Sequence, residues 1–278
     1  MNNLVSTQWL ADHLGQAGLA IVDASRHHFE PERNSAAEYE DAHIPGAVFL
    51  DLVSLVDANS PIENTLPTKE QFTRRMRELG IDHDQRIIIY DDSIVKTATR
   101  AWFMFRLFGL ENVAVLDGGI AKWKAEGRSL TNVVEVRTPG AFEAVVNDAL
   151  LKNKADILAN IREKNFQHVD GRGAAHFSGQ DADPHPEVAS GHVPGSINVP
   201  FWDLYNADGT LKDTTELRAL FDGAGVDLSQ PVTTSCGSGV VACALALALG
   251  QLGKDDVALY DGSWTEWGAD PALPKVKS

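Results

Sequence analysis

The chain carries one architectural pattern twice. AHIPGAV at Ala42 to Val48 returns as GHVPGSI at Gly191 to Ile197, and NVAVLDGGIAKW (Asn112 to Trp123) returns as DVALYDGSWTEW (Asp256 to Trp267) in the same order. Between these landmarks RIIIYDD (Arg86 to Asp92) stands opposite PVTTSCG (Pro231 to Gly237), so Asp91 in one copy takes the place of Cys236 in the other. Each copy opens with a short apolar run ending in Asp: LAIVDAS with Asp23, and FQHVDGRG with Asp170. Strand-like runs alternate with helix-like ones such as TRAWFMFRLFG and ACALALALGQLG, a pattern that predicts α/β units with a mainly parallel sheet. We therefore expect two tandem domains: an N-terminal one over 1–127, a linker over 128–150 and a C-terminal one over 151–278, with DALLKNKADILANI as a lead-in helix to the second.

Several function classes fall away on composition. The formal net charge of −15 repels polyanions, so neither nucleic acid nor an anionic membrane is expected as a partner. A small anion remains admissible if local amides or a helix N-terminus receive it. No apolar run reaches membrane-spanning length and the N-terminus lacks a signal-like pattern, which predicts a soluble, cytoplasmic protein.

Both cysteines sit in SCGSGVVAC, Ser235 to Cys243. Their setting does not resemble a disulfide framework, and a cytosol keeps such thiols reduced. Cys236 follows the β-prone run Val232–Ser235 and precedes two glycines and a long Ala/Leu helix. That strand, loop and helix arrangement aims backbone N–H groups at the loop's first residue and predicts a thiolate with a pKa below the ordinary value of about 8.5. Cys243, inside the Ala/Leu helix, reads as core. A cysteine phosphatase would need an Arg six residues after the nucleophile, where Ala242 stands. A dithiol oxidoreductase would need a second Cys at Gly239, and no further Cys or His at close spacing supplies a metal site. A lone nucleophile in an amide-lined loop can take sulfur as a persulfide and pass it on. The repeated His43 and His192 read as parts of tight Pro-Gly turns rather than as chemistry.

CGSGVVA at Cys236 to Ala242, the two GHIPG-like turns, the two DGG/DGS–W segments and FWDL after Pro200 together resemble the tandem-domain rhodanese superfamily, and within it the 3-mercaptopyruvate sulfurtransferases. Thiosulfate-preferring rhodaneses usually carry a charged loop of the CRKGVT kind instead. The resemblance covers nearly the whole chain. It implies two tandem rhodanese-like domains, catalysis in the C-terminal one, and no metal or organic cofactor. It also implies a small anionic sulfur donor and a thiol or cyanide acceptor, a thioredoxin-like protein being one such acceptor.

By the same resemblance Cys236 is the sulfur-accepting nucleophile and the amides of Gly237, Ser238, Gly239, Val240 and Val241 form the persulfide cradle. Ser238 corresponds to a loop serine used in proton handling or substrate contact, and Asp51 to an acidic residue acting with that serine through a histidine. Asn64 holds the histidine's place, and an amide relays no proton near neutral pH. The two arginines that grip the donor carboxylate in the family are replaced by His176 and His185. Imidazoles lack the bidentate fork and are partly charged at pH 7, so this reading predicts weaker carboxylate binding as pH rises unless Arg172, Arg33 or Arg100 substitutes. Arg172 reads equally as a structural ion pair with Asp170. The leading expectation is a sulfurtransferase working from 3-mercaptopyruvate. The alternatives are thiosulfate as donor, and a non-enzymatic sulfur-carrier or redox-sensing protein using the same Cys.

Overall fold

A computed structural model describes residues 3–278. The chain forms two compact units: residues up to Ala58 with Leu66–Asn147 and Ala207–Leu211, and Asn59–Thr65 with Asp148–Asn206 and Lys212–Ser278. Each is built on a five-stranded sheet whose neighbours all run parallel. In the first unit β1 (Leu4–Val5), β2 (Leu19–Asp23), β3 (Ala47–Phe49), β4 (Arg86–Tyr90) and β5 (Val113–Leu116) lie in the order β1-β5-β4-β2-β3. In the second, β6 (Leu151–Lys152), β7 (Gln167–Asp170), β8 (Ile197–Asn198), β9 (Val232–Ser235) and β10 (Ala258–Tyr260) repeat that order as β6-β10-β9-β7-β8. The two sheets with their flanking helices give the α/β fold expected from the repeat.

Parallel strands covered on both faces read as continuous apolar runs, and β4 with its three isoleucines has this form. Around it Leu10, Ile21, Tyr39, Ile44, Ile88, Tyr90 and Trp123 make one core. In the second unit Ile157, Val193, Tyr260, Trp264 and Trp267 occupy corresponding places, but β9 is VTTS, far more polar than its counterpart. Three helices start on capping boxes: Lys69–Glu78 on Thr68 and Gln71, Lys154–Glu163 on Asn153 and Asp156, and Thr214–Gly223 on Asp213 and Glu216. The buried helix Ala242–Gln251 has no side-chain cap: the N–H groups of Cys243 and Ala244 turn back to the Val240 and Val241 carbonyls at 3.2 and 3.0 Å, and that of Ala242 points to the Cys236 sulfur.

The lead-in helix expected over DALLKNKADILANI is not continuous. Asp148–Leu150 is a 3-10 turn and Leu151–Lys152 an edge strand paired with β10, and the helix begins only at Lys154, where Asn153 caps it. The apolar residues of that stretch are shared between strand and helix, so a single helical period misreads them. Both His-x-Pro-Gly turns are fold elements. His43 Nδ1 pairs with the Tyr39 carbonyl at 2.6 Å and its ring stacks on Tyr39, and His192 does the same with Phe177 at 2.8 Å. Each turn also forms a bridge with the tail of its own unit, His43 with Thr131 and His192 with Val276.

Candidate active site

In the second unit β7 and β9 lie side by side with Asp170 level with Ser235. The chain leaves β7 toward β8 on one side and β9 toward β10 on the other. The carboxyl ends of two strands whose connections diverge form a crevice, where ligands of open α/β sheets bind. Cys236 stands there as the residue after β9.

Its main chain is held from the start of the helix Ser263–Ala269. The Cys236 N–H donates to Ser263 Oγ at 3.1 Å, and the Cys236 carbonyl accepts from the Trp264 N–H at 3.0 Å. The Gly237 carbonyl accepts from both the N–H and the hydroxyl of Thr265 at 2.8 Å. Ser263 occupies the left-handed region at φ 50, and its hydroxyl donates to the Tyr260 carbonyl at 2.9 Å. Sequence reading did not single out Ser263 or Thr265. The signal was the repeat itself, in which Gly119 of DGG becomes Ser263 of DGS at a backbone position that favours glycine.

Cys236 is 2% exposed, and burial pushes its thiol up from its ordinary value. The N–H groups of Ala242, Ser238 and Val241 pull it down, and the charge of Asp170 pushes it up again. The net rise corrects the expected depression. A sequence shows the loop amides but not the apolar wall around them, and desolvation is the larger effect here. The cradle is also displaced toward the helix: Ala242, its first residue, contributes an N–H that the expected span Gly237–Val241 left out.

Gly239 at φ +77 needs a glycine backbone, whereas a Cβ on Gly237 would meet nothing within 4 Å. Ser238 is half-buried and Val240 buried, and Val241 caps the helix. Arg172 is committed elsewhere. Its guanidinium grips Asp170 through Nε and Nη2 at 2.7–3.1 Å, donates to the Gly191 carbonyl at 2.9 Å and lies over Trp264 at 4.3 Å. The ion-pair reading of Arg172 therefore replaces the substrate-binding one. Arg33 is likewise held by Glu38 at 2.6–2.9 Å and by Asp92 at 2.9 Å, and Arg100 is buried in the helix Thr97–Leu107. His176 is half-buried on the short helix Ala174–Ser178, and His185 is exposed in the following loop. Asp51 belongs to the first unit, where its carboxylate accepts from the Val53 N–H and the Ser54 hydroxyl; Asn64 belongs to the second, with φ 60.

The first unit holds the same latch around a carboxylate. The Ile120 N–H donates to the Asp91 carbonyl at 3.1 Å, and a Cβ on Gly119 would sit 2.4 Å from that oxygen. The Asp91 side chain accepts from Thr97 Oγ1 and the Ala98 N–H at 3.2 Å, filling the helix start with a built-in anion. Burial lifts its pKa to about 6. Above that pH the fold holds an unfavourably buried charge that the unfolded chain carries in water. Asp91→Asn is expected to stabilise the protein at pH 7 by about 2–3 kcal/mol, with the gain disappearing as pH falls from 6 toward 4. Denaturant melts of both proteins at pH 7 and pH 4 check this; equal midpoint differences at the two pH values would count against it.

A cavity of about 310 Å³, lined by Ile157, Ile161, Val193 and Ile197, lies near the amino ends of β7 and β9, away from Cys236. No helix among the described residues is long and apolar enough to cross a membrane.

The family model for the rhodanese-like domain matches residues 6–126 and again 153–270. The chain belongs to the rhodanese family. The 3-mercaptopyruvate sulfurtransferase of Escherichia coli K12 is 41% identical over 271 residues, which cover 97% of this chain and 96% of that protein. The rat thiosulfate sulfurtransferase is 42% identical over 272 residues, covering 95% and 91%. The crystal structure of SseA from Escherichia coli, described as a 3-mercaptopyruvate sulfotransferase with the rhodanese fold, superposes with a TM-score of 0.86 at 39% identity, over 95% of this chain and 99% of that one. Of the two rhodanese units, only the second has a cysteine after its central strand.

Proposed function

We propose that this rhodanese is a sulfurtransferase that takes sulfur from a small anionic donor, 3-mercaptopyruvate first among them, as a Cys236 persulfide and delivers it to a thiol or cyanide. The observation that carries the reading is the sulfur of Cys236 facing three backbone N–H groups, that of Ser238 in the loop and those of Val241 and Ala242 at the start of Ala242–Gln251. Those groups favour negative charge on sulfur without any metal or side-chain cation. The first unit is the non-catalytic partner, with Asp91 in place of the thiol.

In the first half-reaction the Cys236 thiolate attacks the donor sulfur. The C–S bond breaks toward carbon, the donor's thiol proton ends on that carbon, and pyruvate leaves with a persulfide anion behind it. In the second, an acceptor thiol or cyanide takes the outer sulfur and the thiolate returns, a ping-pong cycle. Because burial holds the resting thiol above its ordinary value, the negative charge is stabilised chiefly where the three N–H groups meet it. Ser238, on the loop between Gly237 and Gly239, is assigned to donor contact. Asp51, whose carboxylate is engaged by its own turn, is given no step.

Mass spectrometry of the protein exposed to donor, followed by acceptor, tests the reading: one added sulfur on Cys236 that the acceptor removes supports it, and an unmodified Cys236 overturns it in favour of a redox sensor. Thiosulfate is the second donor, favoured by the thiosulfate sulfurtransferases among the relatives. A higher kcat/KM for thiosulfate than for 3-mercaptopyruvate would reverse the order.

Two substitutions probe donor choice. Gly237 has open space where a side chain would go and needs no left-handed backbone. Gly237→Arg should therefore fold with stability within about 0.5 kcal/mol of the parent and shift the kcat/KM ratio toward thiosulfate, a dianion. For the donor carboxylate we assign His176 and His185. Replacing both by Arg should lower the KM for 3-mercaptopyruvate about tenfold, the gain of one bidentate, charge-assisted contact. Steady-state kinetics read both, and an unchanged KM would remove the two histidines from the donor site.

A further inference from the structure

We infer that His168 is a positioning residue for the sulfur-accepting loop, acting through Ser235. This rests on the Cys236 reading above. His168 Nε2 and Ser235 Oγ are 2.7 Å apart, both residues are buried, and Ser235 is the residue immediately before Cys236. The helix Ser263–Ala269 fastens the main chain of Cys236 and Gly237, and the Gly171 N–H holds the Ser235 carbonyl from the side of β7. His168 supplies the side-chain tie on that same β7 side.

The other unit shows that the fold itself asks for none of this. His168 corresponds in the repeat to Ile21 and Ser235 to Tyr90, and in the first unit both are plain members of the core. There the Tyr90 hydroxyl spans the gap and accepts from the Ile44 N–H at 3.4 Å. In the second unit the ring has moved from the residue before the loop to the neighbouring strand, and a short serine remains at the loop's root. Only the unit with the thiol makes this exchange.

The imidazole is held in place at a cost. Its Nδ1 has no hydrogen-bond partner, nor does Oγ1 of Thr233, its neighbour across the strands. A buried, unpartnered nitrogen disfavours folding, so an isoleucine would suit the core better than a histidine whose one satisfied atom is Nε2. Burial also holds the ring neutral, with its pKa lowered to about 4; the charge of Asp170 opposes this and that of Arg172 adds to it, so the tie to Ser235 is a neutral one throughout the working pH range. Without it Ser235 can turn, and the Cys236 sulfur drifts from the N–H groups of Ala242, Ser238 and Val241.

Iodoacetamide alkylation of Cys236 across pH, with Cys243 replaced by Ala throughout so that one thiol is read, tests the tie without requiring sulfur transfer. His168→Ile should raise the alkylation midpoint by about one pH unit, the equivalent of one lost N–H contact to the thiolate. It should also lower kcat for 3-mercaptopyruvate about tenfold with KM unchanged. His168→Gln, which can place a nitrogen near Nε2, should restore both. Ser235→Ala should shift the midpoint as His168→Ile does, and the double variant should be no worse than either single one. A midpoint that stays put or falls in His168→Ile and Ser235→Ala would reduce His168 to an ordinary core residue, even if the melting temperature drops. If His168→Ile does not fold, Ser235→Ala and His168→Gln decide the matter. Should the parent protein form no persulfide, the sulfurtransferase reading fails, while the alkylation midpoints still judge the tie.

Discussion

Replacing Cys236 by Ser is expected to lower sulfur transfer at least about a thousandfold while leaving the fold in place. The main-chain contacts at 236 survive the change: its N–H still reaches Ser263 Oγ and its carbonyl still receives the Trp264 N–H. The new hydroxyl sits among the N–H groups of Ala242, Ser238 and Val241, so it is not left unsatisfied. What disappears is a group that can carry negative charge on sulfur and form an S–S bond. Turnover and thermal melts measured together check this. Retained turnover would transfer the role to Cys243, which is fully buried and donates its S–H to the Gly239 carbonyl at 3.4 Å.

The second large effect concerns Arg172. Its Nη2 lies 2.7 Å from Asp170 Oδ2, and the two side chains are 8% and 2% exposed. Arg172→Met leaves that carboxylate buried without its cation, a loss of about 3–5 kcal/mol by the behaviour of other broken buried pairs. The Gly191 carbonyl loses a donor and the Trp264 face its cation. Asp170 already pushes the Cys236 thiol up, so removing the guanidinium should push it further and slow alkylation of Cys236 at pH 7. Asp170→Asn combined with Arg172→Met should recover much of the stability, because it removes the stranded charge. Urea unfolding of the single and double variants provides the measurement. A single variant within 1 kcal/mol of the parent would mean that the pair contributes little.

The repeat made the fold legible because each landmark of one copy had a partner in the other: two Asp-ending strands, two Pro-Gly turns, two Asp-Gly helix starts. The lead-in to the second unit escaped because a two-residue edge strand leaves no period to detect, although Asn153 and Asp156 mark the true helix start. The candidate nucleophile stood out for the same reason as the fold, as a cysteine where the copy has Asp91. Its electrostatics were not, since the balance between loop amides and burial depends on side chains brought in from distant parts of the chain. Arg172 shows the converse case. Its charge is plain in the sequence, but its commitment depends on Asp170, Gly191 and Trp264 meeting around it. Arg33 is hidden in the same way by Glu38 and Asp92.

In both units the helix that follows the last strand grips position 91 or 236 by its carbonyl oxygen, through Ile120 in one and Trp264 in the other. A grip on the main chain is indifferent to the side chain it carries. The same grip therefore serves a carboxylate in one copy of the repeat and a thiol in the other. Such a hold lets one scaffold present either group at the same place, with the differences gathered in the side chains around it, among them Ser263, Ser235 and His168.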